Sequence, residues 1–103
     1  MYTATMEYQF RPDELAKGCQ IWQETVLEAA RKRKGFVRMQ LFSQASGNVL
    51  ALGTWKAKSD AEAFMQTGVF ITLKERLAPL MLKEPQQRLW NLEVFADASS
   101  VSQ

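Results

Sequence analysis

The chain has no histidine. This removes the usual general base near neutral pH and the commonest transition-metal ligand, so enzyme classes built on a histidine base or on histidine-ligated metal fall away. Cys19 is the only cysteine; an intrachain disulfide is impossible and a cysteine-built metal cluster has no support. No apolar run approaches the roughly 20 residues that span a bilayer, and Met1-Tyr2-Thr3-Ala4 lacks the charged and apolar regions of a secretory signal. The expectation is a cytoplasmic protein with no membrane partner. Nor does one sign of charge dominate, with 13 cations against 11 anions. The basic excess is local to Arg31-Lys32-Arg33-Lys34 and reads as a solvated helix end, so no nucleic-acid partner follows from charge.

What is present is a chain of 103 residues, 47% hydrophobic, long enough for one packed domain and too short for two. Residues 2–10 alternate, with Tyr2, Ala4, Met6, Tyr8 and Phe10 on one side and Thr3, Thr5, Glu7 and Gln9 on the other, which predicts a half-buried strand. Asp13 then suits a helix N-cap, and Leu15, Cys19, Trp22, Val26 and Ala30 recur at helical spacing. This helix is expected to run to Lys34, its basic last turn complementing the helix dipole and Gly35 supplying the left-handed stop. Residues 36–44 and 48–55 read as a hairpin turning at Ala45-Ser46-Gly47. The second of these strands is apolar on both faces, which implies that both are covered.

Ser59-Asp60-Ala61-Glu62 matches a capping box opening a second helix. Gly68 interrupts it, after which Phe70, Leu73, Leu77 and Leu80 share a face, with Pro79 and Pro85 bounding the far end. Residues 87–95 alternate again as a fourth strand. The resulting order is βαββαβ: an α+β, ferredoxin-like domain over residues 1–96 with a four-stranded antiparallel sheet, followed by a polar C-terminal tail over residues 97–103. Helices on one face leave the other apolar and uncovered, and pairing two sheets about a two-fold axis would bury it in a homodimer.

Several segments carry a family resemblance. Gly35-Phe36, Leu52-Gly53-Thr54-Trp55, the stretch from Lys56 through Ser59-Asp60-Ala61-Glu62 to Ala63-Phe64, and Phe70 with Leu77-Ala78-Pro79-Leu80 resemble the antibiotic biosynthesis monooxygenase family of dimeric α+β barrels, over residues 2–95. The resemblance implies that fold, a homodimer and one of several activities. The family's haem-degrading branch uses a strand-one asparagine, a helix tryptophan and an iron-ligating histidine. Here strand one has no asparagine, the tryptophan falls at Phe64 and the histidine at Lys74, whose ammonium cannot ligate iron.

The cofactor-independent branch needs an enclosed apolar pocket and polar groups that orient a phenol or quinol. The resemblance therefore implies no cofactor and no metal, with a small aromatic ligand or substrate. Candidate wall residues are Met6, Trp22, Phe36, Phe64, Met65 and Phe70, all of which also serve as ordinary core. The candidate catalytic residues are Trp55, whose indole N–H can donate to a substrate oxygen, and Tyr8, a phenolic donor or else a core tyrosine with its hydroxyl at the surface. Glu7 lies on the polar strand face, and Cys19 reads as a small buried hydrophobe. The alternative function is a non-catalytic dimeric small-molecule-binding or stress-associated protein of the same fold. Lys34-Gly35-Phe36-Val37 begins like an RNA-binding motif, but Arg38-Met39-Gln40-Leu41 lacks the later aromatics and the segment falls on strand two instead of strand three.

Overall fold

Alternation along β1 (Tyr2–Gln9) sets the layering of the computed structural model, which describes residues 1–98. β1 lies inside a four-stranded sheet of order β2-β3-β1-β4, flanked antiparallel by β3 (Asn48–Trp55) and β4 (Gln86–Asn91), with β2 (Phe36–Ser43) at the far edge. Residues opposite one another across a ladder share a face. The register Tyr2↔Trp55, Ala4↔Gly53, Met6↔Ala51, Tyr8↔Val49 therefore places Tyr2, Met6, Tyr8 and Trp55 on the helix side. Thr3 and Thr54 point to the other face, where their hydroxyls meet at 3.2 Å.

The first helical stretch starts with a 3-10 turn at Pro12–Glu14 and continues as α1 (Leu15–Trp22), a π-helical turn Gln23–Leu27 and α2 (Glu28–Ala30). Asp13 sits within the 3-10 turn and its side chain caps nothing; Pro12, with its fixed φ, starts the turn instead. Trp22, Val26 and Ala30 are all buried. Residues four apart drift by about 40° per step on a regular helix, and the wider π turn takes back part of that drift, keeping the three on one stripe. The aromatic ring of Phe10 lies where a β-carbon on Gly18 would stand, so α1 rests directly on that ring.

The helix ends at Ala30, four residues short of the expected Lys34. Ala30 is its last buried residue, and Arg31, Lys32, Arg33 and Lys34 are exposed in turns with nothing to bury. Gly35 does adopt the left-handed backbone, φ +82, with the Asp60 carboxylate over its α-carbon. The hairpin turns at Gly47, φ +102, as its sequence predicts.

α3 (Lys58–Met65) starts one residue before Ser59, so the capping box does not form: Ala57 is the N-cap and its carbonyl accepts from the amides of Asp60 and Ala61. Gly68 separates α3 from α4 (Val69–Leu77), and Leu73, Leu77 and Leu80 are buried together as the spacing implies. β4 stops at Asn91, short of the expected residue 95, because its ladder partner begins at Tyr2, which pairs with Asn91. The chain then crosses the open face of the sheet to the opposite edge, where Arg38 of β2 lies 4.3 Å from the Phe95 ring and 3.7 Å from Asp97. The rest of the predicted polar tail, residues 99–103, lies outside the described residues.

Candidate functional site

An aromatic ladder runs through the space between helices and sheet. Phe36 meets Trp55 edge-on at 5.8 Å between centroids, Trp55 meets Phe64 at 5.1 Å, and Phe64 meets Phe70 edge-on at 5.4 Å. Such pairs add roughly 0.5 to 1.5 kcal/mol each beyond the burial of their area. Trp55 ends β3 and is 2% exposed, and Phe64, also 2% exposed, comes from the buried face of α3.

Next to the ladder is a cavity of about 30 Å³, lined by Met6, Trp22, Trp55, Phe64, Met65 and Phe70 among others. These are five of the six expected wall residues together with Trp55. Phe36 stands behind Trp55 and does not reach the cavity, and neither does Tyr8. A space of this size holds about one water. Gly53 helps to create it, since a β-carbon there would meet Met39 Cε at 3.0 Å and Trp55 Nε1 at 3.5 Å.

Of the lining residues that the sequence reading did not assign to a pocket, Gly53 and Gln87 bear most on its shape and polarity. Gly53 carries a recognisable signal, a glycine inside a strand where something approaches closely. Gln87 shares alternation parity with Leu89, and its amide donates to Met65 Sδ at 2.8 Å. It is a polar side chain of the cavity wall, held against Met65.

Met6 and Phe70 have a second role, as the shared wall between this cavity and a cleft of about 220 Å³ lined also by Tyr8, Leu73, Lys74, Glu84 and Pro85. Tyr8 is 4% exposed, stacked on Phe10 at 5.9 Å. Its hydroxyl is not at the surface: among the described residues, Tyr8 Oη is the one buried side-chain polar atom without a hydrogen-bond partner. Burial pushes the phenol well above its ordinary pKa; Trp22 lies near enough to offset this in part, without hydrogen-bond geometry. A buried phenol of this kind stays protonated at neutral pH and acts as a donor. Lys74, the position matched to the haem branch's ligand, pairs its ammonium with Glu84 at 3.0 Å.

Cys19 is half-buried at the margin of the core, not fully enclosed as its place on the helix stripe suggested, and desolvation raises its thiol pKa. Glu7 is exposed on the open face. Larger hollows of about 410 and 370 Å³ also lie on the sheet's open side, away from the aromatic ladder. Among the described residues, no helix is long and apolar enough to cross a membrane, and no three histidine, cysteine or acidic side chains are grouped to hold a metal ion.

No protein-family model matches the chain, and no curated protein matches it in sequence. Its architecture is nevertheless well populated: the chain has the ferredoxin-like α+β fold of proteins named antibiotic biosynthesis monooxygenases. One solved structure of that name shares 14% identity, covering 91% of this chain and 100% of its own, with a TM-score of 0.74. SnoaB, a cofactor-independent oxygenase from Streptomyces nogalater, shares 14% identity over 91% of this chain and 94% of its own, with a TM-score of 0.74. A protein of unknown function from Nitrosomonas europaea shares 12% over 94% of each chain, with a TM-score of 0.77. At these identities the likeness concerns the fold.

Proposed function

We propose that this protein is a cofactor-independent monooxygenase, working as a homodimer on a small aromatic substrate of phenol or quinol type held beside Trp55. The observation that carries this reading is the convergence of Met6, Trp22, Trp55, Phe64, Met65 and Phe70 around one apolar space next to a cleft that Tyr8 lines. The likeness of fold to a cofactor-independent oxygenase supports it.

In this reading the substrate supplies the electrons. An electron-rich phenolate passes an electron to dioxygen, the radical pair combines at a ring carbon, and loss of water leaves a quinone. One oxygen atom ends on the ring and the other in water, which carries away the ring C–H and phenol O–H hydrogens. The protein's part is to orient and to exclude water: the Trp55 N–H and Tyr8 O–H donate to substrate oxygens, where fixed dipoles in a dry site act strongly. Met6, Met65 and Phe70 move to admit the ring, since a cavity of about 30 Å³ is far below the roughly 300 Å³ of ordinary ligand pockets.

That same small volume favours the second reading, a non-catalytic dimeric small-molecule-binding or stress-associated protein with a filled core. Oxygen uptake separates the two. Purified metal-free protein with a panel of phenols and hydroquinones consumes oxygen above a Trp55→Phe control if the first reading holds; uptake equal to that control supports the second.

A further inference from the structure

The cleft beside the aromatic cavity is chemically uneven, apolar along most of its wall and charged at one place. Its walls are mostly apolar, from Met6, Phe70, Leu73 and Pro85. Against this background stand the Lys74 ammonium and the Glu84 carboxylate, while the unpartnered hydroxyl of Tyr8 is buried behind the wall that Tyr8 helps to form. Lys74 is the one cation among the lining residues and Glu84 the one anion. Both are more than half exposed, with side-chain exposures of 60% and 77%. An ion pair as open as this holds weakly and is readily exchanged. Glu84 lies in the irregular segment between Leu80 and β4, next to Pro85, so it can leave without disturbing a helix or a strand.

We infer that the ligand of this cleft is an aromatic acid: a hydroxylated ring bearing a carboxylate that replaces Glu84 on Lys74, with the ring against Phe70 and Met6 and, once these side chains shift to uncover it, the Tyr8 hydroxyl donating to a ring oxygen. A carboxylate meeting an ammonium at the mouth of an apolar cleft makes a charge-assisted hydrogen bond, which a neutral analogue of equal size cannot match. A buried donor without an acceptor is costly, and a ligand oxygen that satisfies it recovers that cost. Glu84 then acts as a stand-in, occupying Lys74 until the ligand arrives and disfavouring other anions through its own charge. The identity of the cleft as a substrate path rests on the monooxygenase reading; its preference for acids is tested by binding alone.

The experiment compares para-hydroxybenzoate with its neutral analogue para-hydroxybenzamide, titrated into the full chain by calorimetry and by tryptophan fluorescence. Wild type is expected to bind the acid about ten-fold more tightly than the amide, the equivalent of one charge-assisted contact. Lys74→Gln removes that difference, Glu84→Gln enlarges it, and Tyr8→Phe weakens both ligands while leaving the difference in place. Equal binding of acid and amide by wild type, or a preference that survives Lys74→Gln, overturns the inference. Circular dichroism confirms that each variant is folded. Acid-selective binding without oxygen uptake would leave this inference standing and remove the monooxygenase reading; uptake with no acid preference would do the reverse.

Discussion

Trp55 Nε1 stands 3.5 Å from the point where a β-carbon on Gly53 would lie, two residues back along the same strand face. The indole is folded over a position that has no side chain, and the space left there belongs to the cavity. A strand interior ordinarily disfavours glycine, because it packs nothing and costs more backbone entropy to order. Gly53 therefore sets strand stability against open space beneath the indole.

Gly53→Ala is expected to leave folding stability within about 1 kcal/mol of wild type or raise it, because the tighter neighbour is the flexible end of Met39 and the unfolded chain loses freedom. The same methyl group narrows the cavity beneath Trp55, so binding and turnover of a phenol should fall. Denaturant unfolding and ligand titration on one variant check both halves. A large loss of stability, or unchanged binding, contradicts this role for Gly53.

Much of this arrangement was legible in the sequence. Strand alternation placed Met6 and Tyr8 on the apolar face of β1, and helical spacing placed Trp22 on the buried stripe, because hydrophobic periodicity is a whole-element signal; Trp55, on a strand apolar on both faces, and Phe64 were reached only through the family resemblance. What failed was local. Asp13 and Ser59 have the chemistry of caps, but Pro12 begins a 3-10 turn and Ala57 takes the capping position. The length of β4 depended on where β1 starts, a long-range fact that alternation in residues 87–95 does not carry. The size of the cavity depended on how closely the side chains interlock, which no spacing records.

Tyr8 gives a pH prediction. Its folded pKa is raised above the ordinary 10.0 of a phenol, so between those two values the unfolded chain has released a proton that the folded chain keeps. Stability is then fully retained below about pH 10 and declines as pH rises through the raised folded value. Alkaline titration followed by phenolate absorbance should show the Tyr8 phenolate only as the protein unfolds. Tyr8→Phe should lose less stability than wild type between pH 9 and 11; an equal loss in both proteins, or Tyr8 ionising in the folded state near 10, contradicts the burial argument.

The open face of the sheet leads to an assembly prediction. Leu52 and the exposed Trp90 lie there, Trp90 donating its indole N–H to Thr5 at 2.9 Å, and the chain beyond β4 crosses it with Val94 82% exposed. A lone chain leaves apolar surface of this kind in water, and a second copy on the same face would cover it. Light scattering at micromolar concentration should return the mass of two chains, and Leu52→Lys, placing a charge on that face, should shift the mass toward one. A single-chain mass for the wild type contradicts the homodimer.

The measurement that addresses the central proposal most directly is the fate of isotope-labelled dioxygen in a reaction with metal-free, flavin-free protein and a hydroxylated aromatic acid, the quinone being trapped at once by reduction. The account predicts one labelled oxygen in the trapped ring and the other in water, with incorporation lost in Trp55→Phe. Product without label, or turnover that begins only when a metal or flavin is added, would contradict it.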